Sequence, residues 1–117
     1  QEGVRVGPVS LYTEDVLDLV RAADTAGLVT GVQLVVRRRD GRDGLVLRLA
    51  GNGGPDGLAA TAAAVERAVH TARPLYPEAV AAGHVHPLSV DWVRHHELAV
   101  NTRTGKLLRV LDERPHS

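Results

Sequence analysis

The chain has 117 residues, enough for one domain with a modest core, and its 14 basic and 14 acidic residues give a formal net charge of zero. That neutrality argues against a general nucleic-acid surface, which needs a basic excess, and the lack of cysteine excludes disulfides, cysteine-ligated zinc and thiol redox chemistry. No apolar run approaches the roughly 18 residues of a membrane span and no signal peptide is visible, so a cytoplasmic protein with no membrane partner is expected.

In chain order, Val4-Arg5-Val6 and Val9-Ser10-Leu11-Tyr12 alternate apolar and polar residues around Gly7-Pro8, the pattern of a short two-stranded ribbon. Thr13 reads as a helix N-cap, with Glu14 and Asp15 in the first turn where the helix dipole favours acids. Val16, Leu17, Leu19, Val20 and Ala23 supply one apolar face, and Gly27 ends the helix. Gly31 to Ala50 reads as a β-hairpin. Val32, Leu34 and Val36 answer Leu45, Leu47 and Leu49 across the turn chemistry of Asp40-Gly41-Arg42-Asp43-Gly44, with one face buried. Arg37, Arg38 and Arg39 offer a phosphate site on paper, but strand side chains alternate faces, and solvated arginines at a hairpin end are the plainer reading.

Gly51-Asn52-Gly53-Gly54-Pro55 lacks the Gly-Lys-Ser/Thr ending of a phosphate loop and reads as a connector. Asp56 is placed to cap a helix from about Gly57 to Arg73, with Leu58, Ala62, Val65 and Val69 at helical spacing and alanine filling the rest of the face. Pro74 and Pro77 stop it, and Glu78 to Ala82 suggests a further turn of helix. Val90 and Trp92 alternate on a third main strand. Leu107, Leu108, Val110 and Leu111 anchor a short terminal element. The expected fold class is therefore α+β: a small mixed or antiparallel sheet of about three main strands plus the N-terminal ribbon, packed with two main helices. The whole of residues 1–117 is expected to be a single domain, with residues 115–117 as a tail.

Two polar groupings invite a chemical reading. His84 and His86 lie two apart, as on one face of a strand, and His95-His96 follow, but a metal needs three or four converging ligands and only Asp91 and Glu97 are at hand, so no metal is assigned. Ser89, Asp91 and His95 have the residue types of a hydrolytic triad without the flanking glycines of a nucleophile elbow. The second grouping is Asn101-Thr102-Arg103-Thr104-Gly105-Lys106-Leu107-Leu108-Arg109. It holds the one lysine of a chain whose other basic residues are all arginine. Lysine offers a compact point charge on a flexible stem where arginine offers a planar fork, and Gly105 with its polar neighbours puts that charge on an exposed turn. A solvated surface lysine is the competing reading.

The end of the chain, Gly105-Lys106-Leu107-Leu108-Arg109-Val110-Leu111-Asp112-Glu113-Arg114, resembles the terminal motif of the adenylate-forming enzyme superfamily, in its phenylacetate–CoA ligase-like branch. The hairpin from Gly31 to Ala50 resembles the strand-turn-strand of that family's small C-terminal lid domain, and Val4 to Val16 resembles the segment after its hinge. The resemblance implies a lid that closes over a separate N-terminal adenylation core holding ATP, Mg and a small carboxylic acid. Lys106 would be the catalytic lysine and Thr104, Gly105 and Lys106 the loop that meets ATP and substrate. Gln1 and Glu2 would fall at the hinge, with residues 1–3 its remnant, and Gly7 and Pro8 in the region lining the thiol tunnel during transfer to CoA or a carrier-protein thiol. The glycine of the family's post-hinge run either is replaced by Pro8 here or is shifted to Gly7; a proline has no N–H and fixes φ, which bears directly on the thioester half. The missing initiator methionine and a start near the hinge suggest a processed product, a lid expressed without its core, or a split partner. A lid alone is expected to be catalytically silent. The alternative is a non-catalytic α+β binding or regulatory module that kept the lid fold.

Overall fold

The computed structural model describes residues 2–115. The alternating N-terminal segments form an antiparallel ribbon, β1 (Gly3–Val6) and β2 (Val9–Tyr12), with Val6 opposite Val9. A two-residue turn of this kind needs a positive φ at its first position; Gly7 supplies it at 56°, and Pro8 follows with its fixed negative φ. Helix α1 (Thr13–Ala23) starts directly after the ribbon.

The central hairpin is β3 (Val29–Arg39) and β4 (Arg42–Gly51), with Leu34 opposite Leu47 and Val36 opposite Leu45. Its turn is Asp40-Gly41, both at positive φ (54° and 73°), the primed geometry that matches strand twist. Helices α2 (Pro55–Ala72) and α3 (Leu75–Ala81) lead to β5 (Ser89–Trp92), and β6 (Val110–Asp112) closes the chain. The main sheet is four-stranded in the order β5-β4-β3-β6. The hairpin at its centre is antiparallel, and both edge strands run parallel to their neighbours.

One face of the sheet carries Leu34, Val36, Leu45, Leu47 and Leu49, all buried, and the helices cover it with Val16 and Val20 of α1 and Val65 and Val69 of α2. Each helix pair is four residues apart, the spacing that stacks side chains on one stripe. Tyr76 fills the end of this core; its hydroxyl accepts from Leu45 N–H (3.1 Å) and donates to the His86 carbonyl (3.0 Å), which satisfies a phenol that is wholly buried. The Trp92 indole donates to the Leu58 carbonyl at 2.7 Å and ties β5 to the start of α2.

Several local expectations are corrected. The sheet has a fourth strand, because the terminal element Val110–Asp112 pairs with β3 instead of forming a separate anchor. The second face of the hairpin is also partly covered: Gln33 and Val35 are buried there along with Leu98, while Val46 and Arg48 opposite them are half-buried. Helix α1 ends at Ala23, four residues before Gly27, because the Asp24 carboxylate accepts from the N–H groups of Leu28 (2.9 Å) and Val29 (2.8 Å) and turns the chain there. Asp56 lies inside the first turn of α2, behind a Gly54 N-cap and Pro55. On α2 the fully buried residues are Thr61, Val65 and Val69, with Leu58 and Ala62 half-buried. Pro77 does not stop a helix but sits in the first turn of α3, where its missing N–H costs nothing. His84 and His86 flank a single bridge between Val85 and Asp43 and do not lie on a strand. The tail residues His116 and Ser117 and the hinge residue Gln1 lie outside the described residues.

Thr13 is not the N-cap. It is the first helical residue, it is buried, and its N–H donates to the Glu2 carbonyl at 3.0 Å, while its hydroxyl oxygen has no hydrogen-bond partner among the described residues. An unpaired buried hydroxyl costs about 1–3 kcal/mol. Thr13→Val keeps the shape and removes the unpaired group, and is expected to raise stability by about 1 kcal/mol in urea denaturation with an unchanged m-value. A loss of 1 kcal/mol or more would show that the hydroxyl is satisfied.

Candidate functional site

Residues Ala99 to Leu108 form a narrow hairpin that stands off the sheet. Val100 and Leu107 make one antiparallel bridge, Leu108 N–H donates to the Ala99 carbonyl (3.1 Å) and Asn101 N–H to the Lys106 carbonyl (2.8 Å). The tip is built by side chains folding back on backbone. The Asn101 carboxamide oxygen accepts from Arg103 N–H (2.9 Å) and Thr104 N–H (3.3 Å), and the Thr104 hydroxyl accepts from Lys106 N–H (3.3 Å). Gly105 turns the chain at φ 72°, and its N–H donates to the Asn101 carbonyl at 2.7 Å. These are the local bonds that make Asn and Thr turn residues.

The backbone of Lys106 is therefore held on both sides while its side chain is exposed, and among the described residues no carboxylate pairs with the ammonium. Thr104 and Gly105 sit in the same tip, so the three loop residues singled out by the sequence are brought together. Beside them Val100 and Leu107 leave 46% and 36% of their surface exposed, two of the four large apolar residues that the fold exposes.

The hairpin stem rests on Gln33 of β3, whose carboxamide nitrogen donates to the carbonyls of Ala99 (3.0 Å) and Leu108 (2.8 Å). Its oxygen accepts from Ala99 N–H at 3.3 Å and faces Arg48 at 3.5 Å. Just past the stem, Arg109 pairs with Glu14 of α1, and its carbonyl accepts from Leu34 N–H at 2.8 Å. A groove of about 300 Å³ runs between α1 and this stem, lined by Leu17, Val20, Arg21, Val32, Leu107 and Arg109. A larger groove of about 630 Å³, between β2, α1 and the end of α2, shares no residue with the lysine hairpin.

The Gly7-Pro8 turn belongs to a second cluster, around Asp43. The Asp43 side chain is 8% exposed and accepts from Gly7 N–H (2.9 Å), from the Arg38 guanidinium (2.9 Å) and from Arg114 (3.0 Å). Arg114 also bonds Asp112 and the Arg5 carbonyl. Burial alone pushes the Asp43 carboxyl up, but the Gly7 hydrogen bond and the two arginines outweigh it and hold the group below its ordinary value. Arg114 is pushed up, by Asp112 first and then by Asp43, against the opposing effect of burial. The turn is packed tightly: a Cβ on Gly7 would lie 2.5 Å from Val85 Cγ1.

The structure does not bring the Gly7-Pro8 turn and the lysine hairpin together. One is fastened at Asp43, opposite Arg38, and the other at Gln33, five positions along the same strand (38 minus 33) or about 17 Å. Glu2 is exposed where the ribbon enters α1. Ser89 donates to Asp91 at 2.7 Å and not to a histidine, and His86 donates from Nε2 to the Arg39 carbonyl at 2.7 Å. Among the described residues no three of His, Asp or Glu converge as metal ligands. Arg37, Arg38 and Arg39 are exposed, and the first two are held by Glu113 and Asp43. Asp43 and Gln33 were missed as site residues: the Asp-Gly pair reads as turn chemistry, and a lone glutamine among valines carries no sign of its partners. No helix among the described residues is long and apolar enough to cross a membrane.

No family model and no curated protein sequence matches the chain. Solved structures do. A domain of phenylacetate-coenzyme A ligase from Bacteroides vulgatus superposes with a TM-score of 0.68 at 11% identity, covering 99% of this chain and 96% of that one. The chain has the fold of this ligase domain. The 2-hydroxyisobutyryl-CoA ligase, bound to 2-HIB-AMP and CoA in its thioesterification state, superposes with a TM-score of 0.69 at 16% identity over 97% of this chain. Its postadenylation state with 2-HIB-AMP gives 0.62 at 17% identity over 95% of this chain. The chain spans about a fifth of that ligase's length, 22% and 21% in the two states.

The Asp43 cluster carries a pH dependence. Because the folded-state pKa is lowered, its contribution is fully present above the unfolded value of about 3.9 and is lost as pH falls through the folded value. Asp43→Ala is expected to cost about 3 kcal/mol at pH 7, by leaving Gly7 N–H unmatched and taking a carboxylate partner from both Arg38 and Arg114, and the gap to the wild type should close below about pH 4. A gap that stays constant from pH 7 to pH 3 in chemical denaturation would refute this role for the carboxylate.

Proposed function

We propose that this chain is the C-terminal lid of an ATP-dependent, carboxylic-acid-activating ligase, and that Lys106 is its adenylation lysine. The observation that carries the reading is the lysine hairpin: a sole lysine, exposed and without a carboxylate partner among the described residues, on a tip whose backbone is fixed by Asn101 and Thr104. The fold shared with ligase domains supports it.

On this reading the ATP, Mg and small carboxylic acid are bound by a separate N-terminal core, covalently joined or not. No three of His, Asp or Glu converge among the described residues of the lid, so the metal would be held by the core. Lid closure would bring the Lys106 ammonium against the acid's carboxylate and the α-phosphate. A compact cation there stabilises negative charge that grows as the carboxylate attacks, and excluding water strengthens it. An arginine would reach the same oxygens with a broader, more diffuse charge. Gln1 and Glu2 would serve as the hinge about which the lid then turns toward a CoA or carrier-protein thiol.

The Gly7-Pro8 turn favours a second reading for that later half. Gly7 N–H is taken by Asp43 and Pro8 has none, so this turn has no free amide to offer a thiol substrate. A lid that adenylates but transfers poorly, or a non-catalytic binding or regulatory module that kept the fold, would look like this.

The test is carboxylate-dependent pyrophosphate exchange with the cognate core, with and without this chain. Activity should require both. Lys106→Ala should lower it by about 100-fold or more, in the range seen when one transition-state donor is removed. Lys106→Arg should not restore it fully. The melting temperature should not change, because the side chain is exposed. Equal exchange by the core alone would leave the binding-module reading standing.

A further inference from the structure

We propose that Gln33 is the positioning residue for Lys106; this rests on the adenylation reading above. Position 33 is a fully buried site on a strand whose neighbours are Val32, Leu34, Val35 and Val36, where an aliphatic side chain would pack without any polar cost. The glutamine there is satisfied by one segment above all. Its two donors go to the Ala99 carbonyl on one stem strand of the lysine hairpin and the Leu108 carbonyl on the other, and its oxygen accepts from Ala99 N–H.

Among the described residues, every hydrogen bond between residues 99–108 and the rest of the chain runs to this one carboxamide. Leu98 is buried before the stem, where the glycine at position 31 makes room for it, and β6 pairs with β3 after it. The stem strands are joined to each other by their own backbone bonds; between these anchors Gln33 is the group that fixes how high and at what tilt the hairpin stands over the sheet. Lys106 is two residues from Leu108, so a tilt at the stem displaces the ammonium directly. Placement errors of about 1 Å at a reacting centre cost up to about 100-fold in rate.

The single lysine gives a direct probe. Reductive methylation with carbon-13 formaldehyde places one side-chain label on Lys106, and amide hydrogen exchange reads the stem at Ala99 and Leu108. Gln33→Leu is expected to speed exchange at these two amides by about tenfold or more and to sharpen the Lys106 signal, while core amides such as Val35 and Leu47 stay protected. With the cognate core present, the same variant is expected to lower kcat for pyrophosphate exchange by about 10–100-fold and to leave KM for ATP and acid within about twofold. If Gln33→Leu fails to fold, Gln33→Met keeps the chain length without the donors and carries the same expectations.

A folded variant with unchanged stem exchange overturns the proposal. So does a loosened stem with full kcat in a system where Lys106→Ala is inactive; that result sinks Gln33 but not Lys106. If Lys106→Ala keeps full activity, the adenylation reading fails and the catalytic half of the proposal falls with it, and the exchange data still decide whether Gln33 holds the hairpin.

Discussion

One buried carboxylate fastens three segments that nothing local would bring together. Asp43 stands in the central hairpin, yet its oxygens accept from Gly7, 36 positions earlier, and from Arg114, 71 positions later. Its own carbonyl accepts from His86 N–H at 2.8 Å. A carboxylate this enclosed is tolerable only when hydrogen-bonded and paired on every side, which makes the arrangement all-or-nothing. Once Asp43 is placed, the N-terminal ribbon must lie flush against Val85, and only a glycine at position 7 leaves room for that. The C-terminal arginine must also fold back over Arg5. The placement of both Gly7 and Arg114 depends on the charge of one side chain in the middle.

The same strand pair serves the other end of the molecule by different chemistry. At Arg38 and Asp43 the hairpin grips the ribbon with charge; at Gln33 it grips the lysine hairpin with a neutral amide. β3 runs without interruption between the two, paired with β4 on one side and with β6 over Leu34 to Val36 on the other. A strand held by ladders on both sides does not bend freely, so the Gly7-Pro8 turn and the Lys106 tip belong to one body. Among the described residues, a domain of this construction has no joint along β3 that would let one of these surfaces move independently of the other. On the proposed adenylation reading, exchange between a face that offers Lys106 and one that offers Gly7-Pro8 would have to come from rotation of the whole domain.

What the sequence disclosed, and what it hid, divides along the range of the interactions. The hairpin was legible because Asp40-Gly41 demands two positive φ values and the flanking leucines and valines alternate at period 2. The lysine loop was legible because a lone lysine among arginines is a compositional signal and Asn101, Thr104 and Gly105 are turn residues acting locally. β6 was not, since a three-residue edge strand paired parallel to β3 has no pattern of its own to read. Gln33 was hidden because its partners are backbone carbonyls 66 and 75 positions away; a carbonyl has no residue identity to recognise. Asp43 and Arg114 were hidden behind plausible local roles, a turn residue and the last residue of the terminal motif. Thr13 failed in the opposite way: its type suits an N-cap, but burial overrode that preference and left its hydroxyl without a partner among the described residues.

The two exposed apolar residues beside Lys106 bear on how a surface lysine acts in chemistry. In water its charge is nearly spent: at 4 Å from an anion it is worth about 1 kcal/mol, against about 4 kcal/mol at the effective dielectric of a protein surface. Burying the ammonium outright in this chain would cost more than that. The hairpin avoids both by keeping the ammonium hydrated at the tip while Val100 and Leu107 form a bare shoulder on the stem. A docked partner that covers the shoulder gains from apolar burial, about 25 cal/mol per Å². The same contact removes water from around the charge. On the proposed adenylation reading, the energy that strengthens the lysine would be drawn from hydrophobic contact made on closure, and the free domain would not bear it.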